Sequence, residues 1–188
     1  MGAVHVKICG LTRPDDARAA ADAGAAFAGL VFFDRSPRTL DAATARDVAL
    51  AVPPGVVKVG LFVDPGDAAL DAIRGEVPLD MVQLHGRETP ARVAAIRART
   101  GLAVMKALPL SRDEDLATIP EHAAAADMLL FDARPPEGAD RPGGHGRAFD
   151  WALLDGAHIA RPWMLAGGLT PATVARAVAE SGAGAVDV

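Results

Sequence analysis

Cysteine is almost absent from this sequence: Cys9 stands alone among 188 residues. No disulfide can form within the chain, and no multi-cysteine zinc or iron–sulfur site can be built. A lone thiol suits a reducing cytosol, so a cytoplasmic setting is expected. An excess of positive charge is also missing. The formal net charge is −5, which argues against general nucleic-acid binding, because that needs a basic surface. Any anionic ligand must therefore meet local cations. Lysine occurs only as Lys7, Lys58 and Lys106. The first residues, Met1 to Val6, carry no signal-peptide pattern, and no apolar run reaches the length of a membrane span. Linkers and low-complexity segments are missing too, so one domain with one core is expected. Hydrophobic residues, at 51%, supply ample material for it.

What is present is a rhythm. Short apolar runs alternate with Ala- and Arg-rich stretches. The strand candidates are Val4–Ile8, Phe27–Phe33, Val56–Val63, Met81–Leu84, Ala103–Ala107, Asp127–Phe131, Trp163–Ala166 and Ala185–Val188. Most are continuously apolar, as expected of parallel strands covered on both faces. Their spacing matches one βα unit each. Thr12 and Pro14 are expected to open the first helix and Asp41 the second. Thr89–Pro90 and Thr170–Pro171 each place a capping hydroxyl before a proline suited to the first helical position. Gly24, Gly75, Gly101 and Gly182 read as helix ends. Eight evenly spaced parallel strands favour a closed α/β barrel, the (β/α)8 TIM fold, over an open doubly wound sheet. The sequence ends at Val188, inside the eighth strand. A single barrel domain over residues 1–188 is expected, without the last loop and helix and with an open edge there.

Active sites of such barrels sit where strands end and βα loops begin. After the first strand comes Cys9, a competent base if its thiolate is favoured. Alternation places Lys7 on the same face, and a nearby ammonium favours the thiolate. Lys7 is also a candidate partner for Asp187 on the neighbouring eighth strand. The bland readings are an inert buried thiol and a lysine at the barrel floor. After the second strand, Arg35 and Arg38 could grip a carboxylate, or simply decorate a solvated loop. His85 follows the fourth strand as an acid, a base or a hydrogen-bonding scaffold. Asp132 follows the sixth. A carboxyl group at an apolar mouth stays neutral more readily and could serve as a general acid, though a helix cap or ion pair fits equally. The widest gap, Arg134–Arg147, reads as a long loop at the catalytic end and carries Gly143-Gly144-His145-Gly146. After the seventh strand, Gly167 and Gly168 run into a helix start, a corner suited to phosphate.

Taken in order, nine stretches carry a resemblance. They are KICGLT at Lys7–Thr12, FFDRSPRTL at Phe32–Leu40, KVGLFV at Lys58–Val63, QLHG at Gln83–Gly86 and KAL at Lys106–Leu108. LLFD at Leu129–Asp132, GGHGRAFDW at Gly143–Trp151, AGGLTP at Ala166–Pro171 and VDV at Val186–Val188 complete them. Together they resemble phosphoribosylanthranilate isomerase of tryptophan biosynthesis. The resemblance implies an Amadori rearrangement of N-(5-phosphoribosyl)anthranilate to the 1-deoxyribulose 5-phosphate ketone, with no metal or organic cofactor. It implies Cys9 as general base and Asp132 as general acid. Arg38 would hold the anthranilate carboxylate, and Gly167 and Gly168 the phosphate. His85, Asp187 and Lys7 are expected among the substrate contacts. The expected partner is a small phosphorylated molecule, not nucleic acid or membrane, with the chain a monomer or homodimer. Two departures stand out. His145 occupies a position where the family usually has a Thr or Ser hydroxyl. The family continues past VDV with a Ser-Ser-Gly segment that completes its phosphate site, and that segment is absent from this sequence. Two other readings share parts of the pattern: a different phosphosugar aldose–ketose isomerase, and a barrel that binds a phosphosugar without turning it over. The first would use an aspartate where Cys9 stands.

Overall fold

A computed structural model describes residues 3–139 and 141–188. Residue 140 of the long loop lies outside them. Eight strands form the barrel: β1 (His5–Cys9), β2 (Phe27–Phe32), β3 (Val57–Phe62), β4 (Met81–Leu84), β5 (Ala103–Leu110), β6 (Met128–Ala133), β7 (Trp163–Leu165) and β8 (Ala185–Asp187). Each pairs in parallel with the next, and β8 pairs with β1 to close the ring. The expected open edge is therefore not found. Cys9 N–H donates to Val188 O at 2.8 Å, and Val188 N–H donates to Lys7 O at 3.0 Å, so the eighth strand is stitched to the first over its whole length. β5 and β6 run further toward the catalytic end than their apolar runs suggested, to Leu110 and Ala133.

The helices α1 (Pro14–Asp22), α2 (Ala42–Ala51), α3 (Asp67–Glu76), α4 (Pro90–Thr100), α5 (Ile119–Ala125) and α6 (Val174–Ser181) lie between strands. Local chemistry explains several ends. Asp41 caps α2 by accepting from Thr44 N–H, and Thr89 caps α4 by accepting from Arg92 N–H with Pro90 in the first turn. Gly101 and Gly182 end α4 and α6 in the left-handed conformation that a Cβ disfavours. Three expectations are corrected. The residue before α1 is Arg13, whose side chain makes no capping bond, so Thr12 is not the cap. Gly75 lies inside α3, one residue before its end, not beyond it. The segment after β7 does not enter a helix at Pro171. A hydrogen-bonded turn from Thr170 to Thr173 comes first, and α6 begins at Val174. Between β6 and β7, after the long loop, the chain forms only a 3-10 turn at Trp151–Leu154.

Strand alternation divides the barrel wall into two faces. Met105, Ala107, Met128, Leu130, Met164, Ala166 and Ala185 pack together as one cluster inside the barrel. Leu84, Val104, Leu108, Leu129 and Phe131 belong to the larger cluster between barrel and helices. Lys106, between Val104 and Leu108 in parity, therefore faces the helix layer. It is buried, and its ammonium donates to Glu88 Oε2 at 2.7 Å, Gly86 O at 2.8 Å and Leu84 O at 3.3 Å. Glu88 in turn accepts from Asp64 N–H at 2.8 Å and from Gly86 N–H at 3.0 Å. This satisfied network ties the loop after β3 to the loop after β4, next to His85. Lys58 is partly exposed and pairs with Asp80 at 3.0 Å, so only Lys7 of the three lysines points into the barrel.

Removing one member of a buried pair leaves the other charge without its partner. Lys106→Met should therefore lower the unfolding free energy by about 3–5 kcal/mol in urea titration. Replacing Lys106 and Glu88 together by apolar residues should cost less than Lys106→Met alone. A Lys106→Met midpoint equal to the parent's would show that the network does not hold these loops.

Candidate active site

The C-terminal ends of the strands surround a cavity of about 360 Å³. Cys9, Arg38, His85, Asp132, Gly167, Gly168 and Asp187 all line it. Seven of the eight residues expected at the site thus meet in one place, although they come from six loops and strand ends. Lys7 is the exception. It was expected among the substrate contacts, but its side chain is 0% exposed and lies beneath the cavity floor. Its ammonium pairs with Asp187 Oδ1 at 2.8 Å, as alternation and the β1–β8 neighbourhood suggested.

Gly29 on β2 explains how a lysine and a thiol fit side by side. A methyl group there would stand 3.2 Å from Lys7 Nζ and 3.3 Å from Cys9 Sγ. Burial works to lower the basicity of Lys7, but the carboxylate of Asp187 and then Cys9 outweigh it, so the ammonium form is held. For Cys9 the balance differs from the expectation. Burial pushes the thiol up, Lys7 pulls it down, Asp187 pushes it up again, and Arg38 opposes weakly. The net direction is upward: the neighbouring cation tempers the cost of forming a thiolate without cancelling it.

Arg38 reaches over the mouth of β1. Its Nη1 donates to Cys9 O at 2.7 Å. This approach requires glycine at position 10, because a Cβ there would meet Arg38 Cδ at 2.5 Å, and the backbone φ is +80°. Opposite, Asp132 at the end of β6 is 8% exposed. Its Oδ1 accepts from Ala133 N–H at 2.8 Å, and its Oδ2 faces His85 Nε2 at 3.2 Å. The glycine-rich loop lies directly on this pair. A Cβ at Gly143 would stand 2.5 Å from His85 Nε2 and 2.7 Å from Asp132 Oδ2. His145 Nε2–H donates to Arg141 O at 2.8 Å, so the imidazole closes a hydrogen bond within the loop itself. The same loop lies over the corner after β7. A Cβ at Gly168 would meet the Arg147 carbonyl carbon at 2.7 Å, and one at Gly167 would meet Ala133 N at 2.9 Å. Both glycines have positive φ. Their small size is thus required by packing as well as by the turn, and the α6 N-terminus stands one turn further away than expected.

Two residues of the site were not singled out from the sequence. Arg141 lines the cavity beside Gly143 and adds a second guanidinium to that of Arg38. Gln83 is fully buried on β4, with Nε2 at 3.1 Å from His85 Nδ1. Its signal was legible, because it lies two residues before His85 on one strand face. Arg141 gave none, since a loop arginine has no periodicity to place it. Among the described residues, no group of three His, Cys, Asp or Glu side chains is arranged to hold a metal ion. No described helix is long and apolar enough to cross a membrane.

A thiol, a carboxyl group and an arginine line one cavity, and the chain that builds it corresponds to a known family. A family model described as N-(5'phosphoribosyl)anthranilate (PRA) isomerase matches residues 6–188. The chain belongs to this family. An N-(5'-phosphoribosyl)anthranilate isomerase of Cereibacter sphaeroides is 57% identical over 188 residues, covering 100% of this chain and 89% of the relative. That of Paracoccus denitrificans is 56% identical, covering 99% and 86%. Among solved structures, the phosphoribosyl anthranilate isomerase of Thermotoga maritima superposes with a TM-score of 0.87 at 34% identity, over 98% of this chain and 87% of that one. A further structure of such an isomerase, in complex with reduced 1-(o-carboxyphenylamino)-1-deoxyribulose 5-phosphate, gives a TM-score of 0.82 at 31% identity, over 98% and 86%. These isomerases share the barrel, and the activity of the family is an Amadori rearrangement.

Cys9, as the sole cysteine, can be followed by alkylation alone. The rate of iodoacetamide modification against pH should show a midpoint above that of an ordinary free thiol. Lys7→Met, which removes the opposing cation, should move this midpoint higher still. A midpoint at or below the ordinary value in the parent would contradict the dominance of burial. The same loop geometry predicts that Gly143→Ala lowers turnover while far-UV circular dichroism stays unchanged, because the added methyl must displace His85, Asp132 or the loop. Parental turnover in Gly143→Ala would show that the loop stands off the carboxyl group.

Proposed function

We propose that the barrel rearranges N-(5'-phosphoribosyl)anthranilate with Cys9 as general base and Asp132 as general acid. The observation that carries the assignment is that these two side chains, from β1 and β6, line one cavity beneath the glycine-rich loop. Protonated Asp132 donates to the furanose ring oxygen. The C1′–O bond breaks, and the anilino nitrogen supplies the electron pair for a C1′=N iminium. Cys9, as thiolate, removes the C2′ proton. The electrons of that C–H bond form C1′=C2′, and the iminium pair returns to nitrogen. The enolamine then tautomerises, losing its hydroxyl proton and gaining one at C1′, to give the ketone. One group must begin ionised and the other protonated, and they stand in different surroundings. Lys7 lies beneath the thiol, whereas Asp132 sits against His85 and a backbone N–H.

The ligand of this proposal carries a phosphate and a carboxylate on an acidic chain. Arg38 is the group for the anthranilate carboxylate, since its guanidinium reaches the cavity beside Cys9. The Gly167–Gly168 corner takes the phosphate through backbone N–H groups in a turn of positive φ. Asp187, lining the cavity while paired to Lys7, is placed for a sugar hydroxyl. A cytoplasmic setting belongs to the same proposal, because Cys9 must stay reduced to serve as a base.

The test is turnover followed by loss of substrate fluorescence, in the parent and in Cys9→Ala and Asp132→Asn. Each variant should lose at least about 100-fold in kcat, the scale of a positioned acid or base. Both should still bind reduced 1-(o-carboxyphenylamino)-1-deoxyribulose 5-phosphate. In the parent, kcat/KM should fall as the pH drops through the raised value of the Cys9 thiol. A Cys9→Ala variant with parental kcat would remove the base assignment. Binding without any turnover in the parent would favour the reading of a barrel that only holds a phosphosugar.

A further inference from the structure

His85 lines the cavity yet has no step in the rearrangement, and Gln83 behind it is wholly buried. Alternation along β4, carried one residue past its end by the bond from His85 N–H to Phe62 O, puts the two on the interior face, two residues apart. Gln83 Nε2 stands 3.1 Å from His85 Nδ1, and His85 Nε2 stands 3.2 Å from Asp132 Oδ2. The three side chains form a line from the barrel interior to the acid. A carboxamide nitrogen can only donate a hydrogen bond, so Nδ1 of His85 must accept and carries no proton. The neutral ring then bears its proton on Nε2, the atom that faces Asp132. Turning the amide over would instead direct Nδ1–H to Gln83 Oε1 and leave a buried NH2 group without an acceptor. In the orientation found, the buried atom without a partner is Oε1. An unpaired acceptor is the more tolerable of the two.

We propose that Gln83 locks His85 as the Nε2–H tautomer, and that His85 is a positioning residue which holds Asp132 and stabilises its carboxylate as the proton leaves. The inference rests on Asp132 being the general acid. When Asp132 transfers its proton to the ring oxygen, negative charge appears on its two oxygens. Oδ1 already receives Ala133 N–H at 2.8 Å. Oδ2 receives the imidazole N–H. Neither donor has to reorganise during the reaction, and a hydrogen bond to a charged group is stronger than one to a neutral group. The benefit therefore grows along the reaction coordinate and should act on kcat rather than on substrate binding. Gly143 completes the arrangement, because its missing side chain lets the loop backbone close over the His85–Asp132 contact.

Two measurements test this. In the parent, 15N spectra of histidine-labelled protein, assigned with His85→Gln, should show His85 with a protonated Nε2 and an unprotonated Nδ1. A protonated Nδ1 on a neutral ring would overturn the proposal without any variant having to fold. Kinetically, His85→Leu should lower kcat by about 10- to 100-fold, the worth of one hydrogen bond to a charged group, with KM nearly unchanged. His85→Gln, which can present an N–H near the position of Nε2, should recover most of that loss. Gln83→Leu should lower kcat in the same sense and remove the tautomer preference from the spectrum. A rise in KM with kcat retained would make His85 a substrate contact and overturn the positioning role. So would a His85→Gln as slow as His85→Leu. If Asp132→Asn turned over at the parental rate, the acid assignment itself would fall. If Asp132→Asn were inactive and His85→Leu kinetically normal, only the role of His85 would fall.

Discussion

The pair between Lys7 and Asp187 spans the seam where the first strand meets the last. Each charge sits on an interior face that is otherwise largely apolar, so each needs the other. That need sets the parity of β1 and β8 together. Once Lys7 points inward, Cys9 two residues later points inward as well and emerges at the catalytic mouth. Once Asp187 points inward, it lines the same mouth from the opposite side of the seam. Gly29 then has to be small, because the ammonium and the thiol fill the space before it. One electrostatic constraint thus places a candidate base, tempers its protonation and anchors the closure of the barrel.

On the far side of the mouth, polar order replaces charge pairing. Asp132 stands on β6, the strand whose side chains are all buried, and it is met by His85 and by its neighbour's backbone N–H. The loop from Arg141 to Ala148 covers this region so closely that side chains are excluded at Gly143, Gly167 and Gly168. The glycines read as anion-binding features therefore have a second physical cause. They allow one loop backbone to rest on two strand ends at once, and that contact shapes the cavity. The His145 hydrogen bond to Arg141 O closes the loop on itself.

Much of this was legible in the sequence. Eight apolar runs of strand length, separated by helical stretches with readable caps at Asp41 and Thr89, point to a parallel barrel with no further information. Polar residues just past those runs point to the site, because barrel chemistry gathers at strand ends. The misreadings share one cause. Thr12, Gly75 and Thr170–Pro171 carry ordinary helix-boundary chemistry, but the boundaries followed packing, which local preference cannot register. Lys7 points inward to its pair with Asp187, whereas the register of β3 and β5 turns Lys58 and Lys106 outward.

The sequence by itself determined the elements and their order, the scarcity of cations, and the set of side chains available for chemistry, since these depend on periodicity and composition along one dimension. Only the tertiary structure decided which of those side chains share a cavity, and in what electrical surroundings. Burial pushes the Cys9 thiol up despite Lys7, because the balance between desolvation and a nearby charge depends on depth and distance. The alignment of Gln83, His85 and Asp132 likewise exists only after β4 and β6 have taken their places in the ring, nearly fifty residues apart in sequence and in contact across the mouth.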